Sequence, residues 1–108
     1  MMITGVRLKE KVKPFSKRMQ GIAHPIRLSI LYILAFKDFP LHEIAANLDY
    51  RPNLISHHLN ILLSSGWVEK KKWKQYVYYH LRHKVLFDWY RLFVETPLQK
   101  EVIGRKLT

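Results

Sequence analysis

Pro52-Asn53-Leu54-Ile55-Ser56-His57-His58-Leu59-Asn60-Ile61-Leu62-Leu63-Ser64-Ser65-Gly66 is the stretch on which the reading of this chain turns. Pro52 suits the first turn of a helix, where its missing N–H would find no partner anyway, and Gly66 supplies the positive φ that a helix C-terminus commonly needs. A helix from about Pro52 to Ser65 follows. Two stripes run along it: Ile55, Leu59 and Leu62 recur at helical spacing on one side, and Asn53, His57, Asn60 and Ser64 recur on the other, with Ser56 beside them. The second stripe is uncharged, short and rich in hydrogen-bonding groups. Such side chains match base edges in a DNA major groove, where an asparagine pairs with adenine and a hydroxyl or imidazole donates or accepts. Arg51, just ahead of the helix, carries the fork that grips a guanine or clamps a phosphate.

Upstream, Leu41, Ile44, Ala45 and Leu48 predict a short amphipathic helix with Pro40 in or near its first turn. Asp49-Tyr50-Arg51 leaves room only for a turn, so residues 41–65 read as a helix-turn-helix. Downstream, Trp67, Val68, Trp73, Tyr76, Val77, Tyr78 and Tyr79 favour strands, and a hairpin over residues 67–81 is expected to turn near Lys74-Gln75. Its second strand alternates, with Val77, Tyr79 and Leu81 on one face and Tyr76, Tyr78 and His80 on the other. Lys70, Lys71, Lys72, Lys74, Arg82 and Lys84 make the segment basic, and no acid lies between Lys70 and Leu86. Trp73, Tyr76 and Tyr78 stiffen it. A basic hairpin after a helix-turn-helix is a winged helix, with Lys70, Lys71, Lys72, Lys74 and Gln75 expected on the DNA backbone or minor groove.

The flanks complete a mainly α fold with a β-hairpin wing, which is an α+β winged helix-turn-helix. A basic helix is expected over residues 14–22, opened by Pro14, carrying Phe15, Met19 and Ile22, and punctuated by Gly21 and His24-Pro25. A second helix from Pro25 shows Ile26, Ile30, Ile33 and Leu34, widened by Leu28 and Leu31 so far that most of it must be covered, until Lys37-Asp38-Phe39-Pro40 breaks it. A last long helix over about residues 84–95 carries Val85, Leu86, Trp89, Leu92 and Phe93. Thr96-Pro97-Leu98-Gln99 has the form of a capping box, so a short further helix is expected before Gly104. No internal repeat or linker divides the chain.

Composition narrows the function. The chain has 108 residues, the size of one domain, and 19 Lys+Arg against 8 Asp+Glu give a net charge of +11. That balance points to a polyanion, nucleic acid or an anionic membrane surface. The segment Lys9 to Arg18 has too few apolar anchors for the membrane alternative. There is no cysteine, which excludes disulfide scaffolds, thiolate metal sites, iron–sulfur centres and thiol nucleophiles. The acids are dispersed and no Gly-rich phosphate loop is present, so no enzyme, catalytic residue or cofactor is expected. Ile22 to Phe36, the most apolar stretch, falls short of the roughly 20 residues of a membrane span. The N-terminus has no signal-like apolar segment, and a soluble cytoplasmic protein is expected.

The histidines have plainer alternatives to weigh. His57 and His58 are adjacent, about 100° apart on a helix, and cannot share a metal as an i, i+4 pair can. His57 is expected on DNA with its polar stripe, and His58, nearer Leu54 and Leu62, in the packing with a local hydrogen bond. His24, His42, His80 and His83 are expected in surface or turn roles, and no metal site is assigned.

Gly21-Ile22-Ala23-His24-Pro25-Ile26-Arg27-Leu28-Ser29-Ile30-Leu31 resembles the opening signature of the ArsR/SmtB-type winged-helix repressors. Ile55-Ser56-His57-His58-Leu59-Asn60-Ile61-Leu62 followed by Ser65-Gly66-Trp67-Val68 is similar to their recognition helix and first wing strand, and Val77-Tyr78-Tyr79-His80-Leu81 to the second. The resemblance runs in register from about Met19 to Leu81. It implies a homodimer built from the first and last helices, on a two-fold symmetric operator that an effector usually releases. Phe15, Met19, Val85, Leu86, Trp89, Tyr90 and Phe93 are then the dimerisation candidates; as aromatics at helical spacing, Trp89, Tyr90 and Phe93 are read as a seam before an effector pocket.

The chain departs from the family at its metal sites. Where metal-sensing members carry Cys-x-Cys this sequence has Pro40 and His42, and where they carry Asp-x-His it has Asp88-Trp89-Tyr90 with no histidine after His83. The usual wing-turn glycine aligns with Lys74, and the Ser/Gln-type start of the recognition helix with Arg51-Pro52-Asn53, so base preference does not carry over from relatives. The expected function is a sequence-specific, dimeric regulator of double-stranded DNA, a repressor of unassigned effector. The alternatives are a winged-helix protein-interaction module and a nonspecific basic DNA-binding protein.

Overall fold

Prolines stand at the start of three helices and set their boundaries. The computed structural model describes residues 5–94 of the chain, as α1 (Gly5–Ile22), α2 (Pro25–Leu34), α3 (Leu41–Leu48), α4 (Pro52–Ser64), β1 (Val68–Trp73), β2 (Tyr76–Leu81) and α5 (His83–Val94). Pro25 and Pro52 open α2 and α4, and Pro40 is the N-cap of α3. In each place proline forfeits only an N–H that the first turn cannot use. Asp49 closes α3 in the left-handed region, at φ +58°, which a short polar side chain tolerates. Gly66, at φ +83°, ends α4 as expected.

The start of α1 differs from the sequence reading. α1 begins at Gly5, so Pro14 lies inside it and does not open it. Residues 7–13 are mostly strong helix formers, and they carry the helix back beyond a proline whose lost hydrogen bond falls on an exposed stretch. α1 ends at Ile22 as expected, and Gly21 does more than punctuate it. It is buried in the last turn of α1, where a Cβ would overlap the Ser65 hydroxyl and Cβ, and it lets α1 approach the end of α4. The proposed cap at Thr96-Pro97-Leu98-Gln99 and the helix before Gly104 lie outside the described residues.

The core gathers Ile30, Leu31 and Leu34 of α2, Ile44 and Ala45 of α3, Ile55, Leu59 and Leu62 of α4, Trp67 and Val68, Tyr79 and Leu81 of β2, and Val85 of α5. Trp67 is its largest member, and its indole N–H donates to the Arg18 carbonyl at 2.7 Å, which ties the wing's base to α1. α2 is less covered than its composition predicts: Leu28, Tyr32 (69% exposed) and Phe36 (72%) line an open side, with Tyr32 and Phe36 edge to face. Apolar residues around the whole helix thus serve two surfaces, of which this chain buries one.

β1 and β2 pair antiparallel from Val68↔Leu81 to Trp73↔Tyr76, and Lys74-Gln75 makes the expected two-residue turn. Phe39 adds a single-residue bridge to the far edge: its N–H donates to the Tyr79 carbonyl and the Tyr79 N–H to its own. The α2–α3 connection is therefore a third, minimal strand, and the neighbouring Asp38 carboxylate meets His80 Nδ1 at 2.6 Å.

Two substitutions test this packing. Gly21→Ala should cost about 1–3 kcal/mol through overpacking against Ser65, read by urea denaturation; full retention of stability would contradict the close approach. Lys74 holds φ +57° at the wing turn. The stability order on thermal unfolding should therefore be Lys74→Gly at or above wild type and Lys74→Val below it by about 1–2 kcal/mol. A valine variant as stable as wild type would mean the turn carries no such strain.

Candidate nucleic-acid interface

α4 sorts its side chains as its spacing dictates. Ile55, Leu59 and Leu62 are wholly buried, while Asn53, His57, Asn60 and Ser64 are exposed and Ser56 is half-buried. Ser64 donates its hydroxyl to the Ile61 carbonyl at 3.1 Å, so it keeps acceptor capacity outward while its proton is spent locally. Arg51 is exposed at the N-cap position, and its side chain makes no capping bond, so the guanidinium is available beyond the helix. The exposed face therefore offers amides, an imidazole and a guanidinium on a rigid element, with no carboxylate to repel a phosphate.

The adjoining His58 behaves differently. It is 5% exposed, as expected of a packing residue, yet its partner is not local: Arg27 Nη1 donates to His58 Nδ1 at 3.2 Å from 31 positions away. Burial, then His24, Arg27 and His57, push its pKa below the usual value. His24 is no isolated turn residue either, because it caps α2 by accepting the Ile26 N–H at 3.1 Å and lies 4.5 Å from the His58 ring. His80 and His83 also adjoin, their rings 5.8 Å apart. Among the described residues no group of three or more histidines and acids is placed to hold a metal.

The wing presents Lys70, Lys71, Lys72, Lys74 and Gln75, all exposed. Strand alternation divides them: Lys70 and Lys72 lie opposite Tyr79 and Val77, on the face whose base enters the core, and Lys71 lies opposite Tyr78 on the other. The charge is thus spread around the hairpin and not confined to one side. Trp73 and Tyr76 form the last cross-strand pair, and the Lys74 ammonium sits 4.5 Å from the Trp73 ring. This aromatic clasp brackets a turn in which Lys74 holds a positive φ.

The dimerisation candidates divide. Val85 belongs to this chain's own core and, buried there, is not available to a partner. Phe15 and Met19 are half-buried, with Met19 against the core. Leu86 and Tyr90 are exposed, and so is Phe87, 64% exposed, which the sequence reading passed over. The side chains of Trp89 and Phe93 lie outside the described residues. Phe87 follows Leu86 directly and falls off the apolar spacing used to choose candidates, although its exposure marks it.

No helix among the described residues is long and apolar enough to cross a membrane. The sequence pattern of the family described as "Bacterial regulatory protein, arsR family" matches residues 24–70. The chain is similar to the biofilm growth-associated repressor of Agrobacterium fabrum, 32% identical over 63 residues, which are 58% of this chain and 54% of that protein. It thus spans about half the length of that relative. It is 35% identical over 69 residues to the transcriptional repressor SdpR of Bacillus subtilis, covering 64% of this chain and 77% of that one. In fold it matches the homodimeric winged helix-turn-helix DNA-binding domain of a possible ArsR-family regulator from Mycobacterium bovis. There the TM-score is 0.68 at 24% identity, over 92% of this chain and 94% of that one. The helix-turn-helix, the wing and the shared sequence agree, and the chain belongs to the arsR family of bacterial regulatory proteins.

Proposed function

We propose that this chain is a dimeric, sequence-specific repressor that places α4 in the major groove of double-stranded DNA and lays its wing along the phosphates. The observation that carries this reading is the division of α4. Its apolar side is wholly buried, and its other side offers Asn53, His57 and Asn60 to solvent with Ser56 half-buried beside them. A helix with no further use for that side would ordinarily fill it with charge for solubility. Short neutral donors and acceptors discriminate bases, and Arg51 and the wing lysines supply the sequence-independent hold. The net charge of +11 speeds encounter with any DNA. Relatives named as repressors support blocking of a promoter, and no catalytic step is assigned to the chain. Such a protein works in the cytoplasm.

The dimer reading is supported by the homodimeric neighbour and by Leu86, Phe87 and Tyr90, which leave apolar surface uncovered on α5. Phe15 and Met19 of α1, with Trp89 and Phe93, are proposed for the same seam. A two-fold protein matches a two-fold operator, so each protomer reads one half-site.

Binding to a chosen operator and to scrambled duplexes over a salt series separates the two kinds of contact. Replacing Lys70, Lys71 and Lys72 by Ala should weaken all duplexes alike and flatten the salt dependence by about 0.9 log units for each lost phosphate contact. His57→Ala or Asn60→Ala should instead cost roughly 1–3 kcal/mol at particular base pairs. Helix variants that weakened every sequence equally would contradict the assigned reading face. For the dimer, Phe87→Glu should shift sedimentation toward monomer by placing a charge in an apolar seam, and an unchanged dimer would remove α5 from the interface.

A further inference from the structure

The end of α2 meets α4 through a polar cluster that holds only groups that are cations or become cations. Arg27 Nη1 donates to His58 Nδ1, and the Ile26 N–H donates to His24 Nδ1. Neither a guanidinium nor a peptide N–H has a lone pair to offer, so both imidazoles must present an unprotonated Nδ1. The His58 ring lies 4.5 Å from that of His24 and 5.3 Å from that of His57, and the Arg27 Nε is buried with no hydrogen-bond partner. The groups acting electrostatically on His58 are His24 and Arg27 from α2 and its cap, and His57 from its own helix. Among the described residues, α1, α3 and β1, which also pack against α4, contribute none. Among the described residues no carboxylate acts on His58.

We propose that Arg27 and His58 are positioning residues of the DNA-reading helix, and that the bond between them is a proton-sensitive latch. A second proton on the His58 imidazole, taken from solvent, turns Nδ1 from acceptor to donor and sets a cation against Arg27. A hydrogen bond that supplements the apolar packing of α2 on the part of α4 carrying His57 and Asn60 is then lost. The inference rests on the reading of α4 as the DNA-reading helix. Its direction follows from linkage. His58 is lowered below its ordinary 6.5, so the unfolded chain takes up the proton more readily. The stabilising contribution is complete above that value and is lost as pH falls through the lowered one. Nonspecific binding moves the other way, because every histidine that charges adds to the attraction for phosphates. The ratio of specific to nonspecific affinity removes that gain, and comparison of the wild type with a His58 variant removes whatever the other histidines, His57 on the reading face included, contribute to both.

The test uses the full chain, a duplex enriched from a random pool, and a scrambled duplex of equal length. Binding and thermal melting are measured at fixed salt at about pH 7.5 and about pH 5.5. On acidification the specific-to-nonspecific ratio of the wild type should fall several-fold, short of the roughly tenfold per protomer that an imidazole of ordinary pKa would lose, with a parallel fall in melting temperature. His58→Asn places a carbonyl oxygen where Nδ1 stood and does not titrate, so its ratio should move less than about twofold. His58→Leu leaves Arg27 without an acceptor, and its ratio should already be low at the higher pH. A wild-type ratio unmoved by pH, or a His58→Asn ratio falling alongside it, would overturn the latch. If no duplex is enriched at the higher pH, the DNA reading fails and takes the positioning role with it. The melts then still report whether the Arg27–His58 bond responds to protons.

Discussion

The structure depends on one constraint: a 13-residue helix must bury Ile55, Leu59 and Leu62 while leaving its other side free. Each of these side chains contributes about 1.5–3 kcal/mol on full burial, and together they fix the rotation of α4 about its own axis. Once that rotation is set, Asn53, His57 and Asn60 point outward as a consequence. The proposed reading face is a by-product of the packing face, held to the accuracy of a close-packed core. A site built in this way needs no loop to order before it meets its ligand.

The wing is joined to the same core by two devices. Trp67 closes the step from α4 into β1 and donates to the Arg18 carbonyl, and Phe39 pairs with Tyr79 while Asp38 holds His80. The elements proposed to read bases and to hold the backbone thus share one rigid support, which matters because backbone contacts set the register in which bases are read. Against this, Arg27 and His24 meet His58 with no carboxylate acting on it among the described residues. Buried groups that hold one arrangement only while unprotonated suit a contact that adjusts as well as supports.

Much of this was legible because local rules governed it. Pro25 and Pro52 opened the helices they were expected to open, the inward and outward stripes of α4 fell where their spacing put them, and the hairpin turned at Lys74-Gln75. The misreadings share a cause. Pro14 looked like a start because proline is read locally, whereas the helix formers before it prolong α1. Gly21 looked like punctuation alone, whereas a residue 44 positions later, Ser65, requires it to lack a side chain. Arg27 with His58, Trp67 with Arg18 and His80 with Asp38 join residues 31, 49 and 42 apart, and no periodicity encodes such pairs. Val85 kept its apolar character but took the inner of two possible surfaces, a choice that pattern alone does not make.

The most direct test of the central claim is to select bound duplexes from a random DNA pool at near-physiological salt and sequence them. If α4 reads bases from a symmetric dimer, the selection should enrich a two-fold symmetric motif with half-sites about one helical turn apart. Binding that enriches no sequence would leave a basic protein that coats DNA, and an absence of binding would leave a winged helix that docks on protein. Either result would contradict the assignment of Asn53, His57 and Asn60 as a reading face.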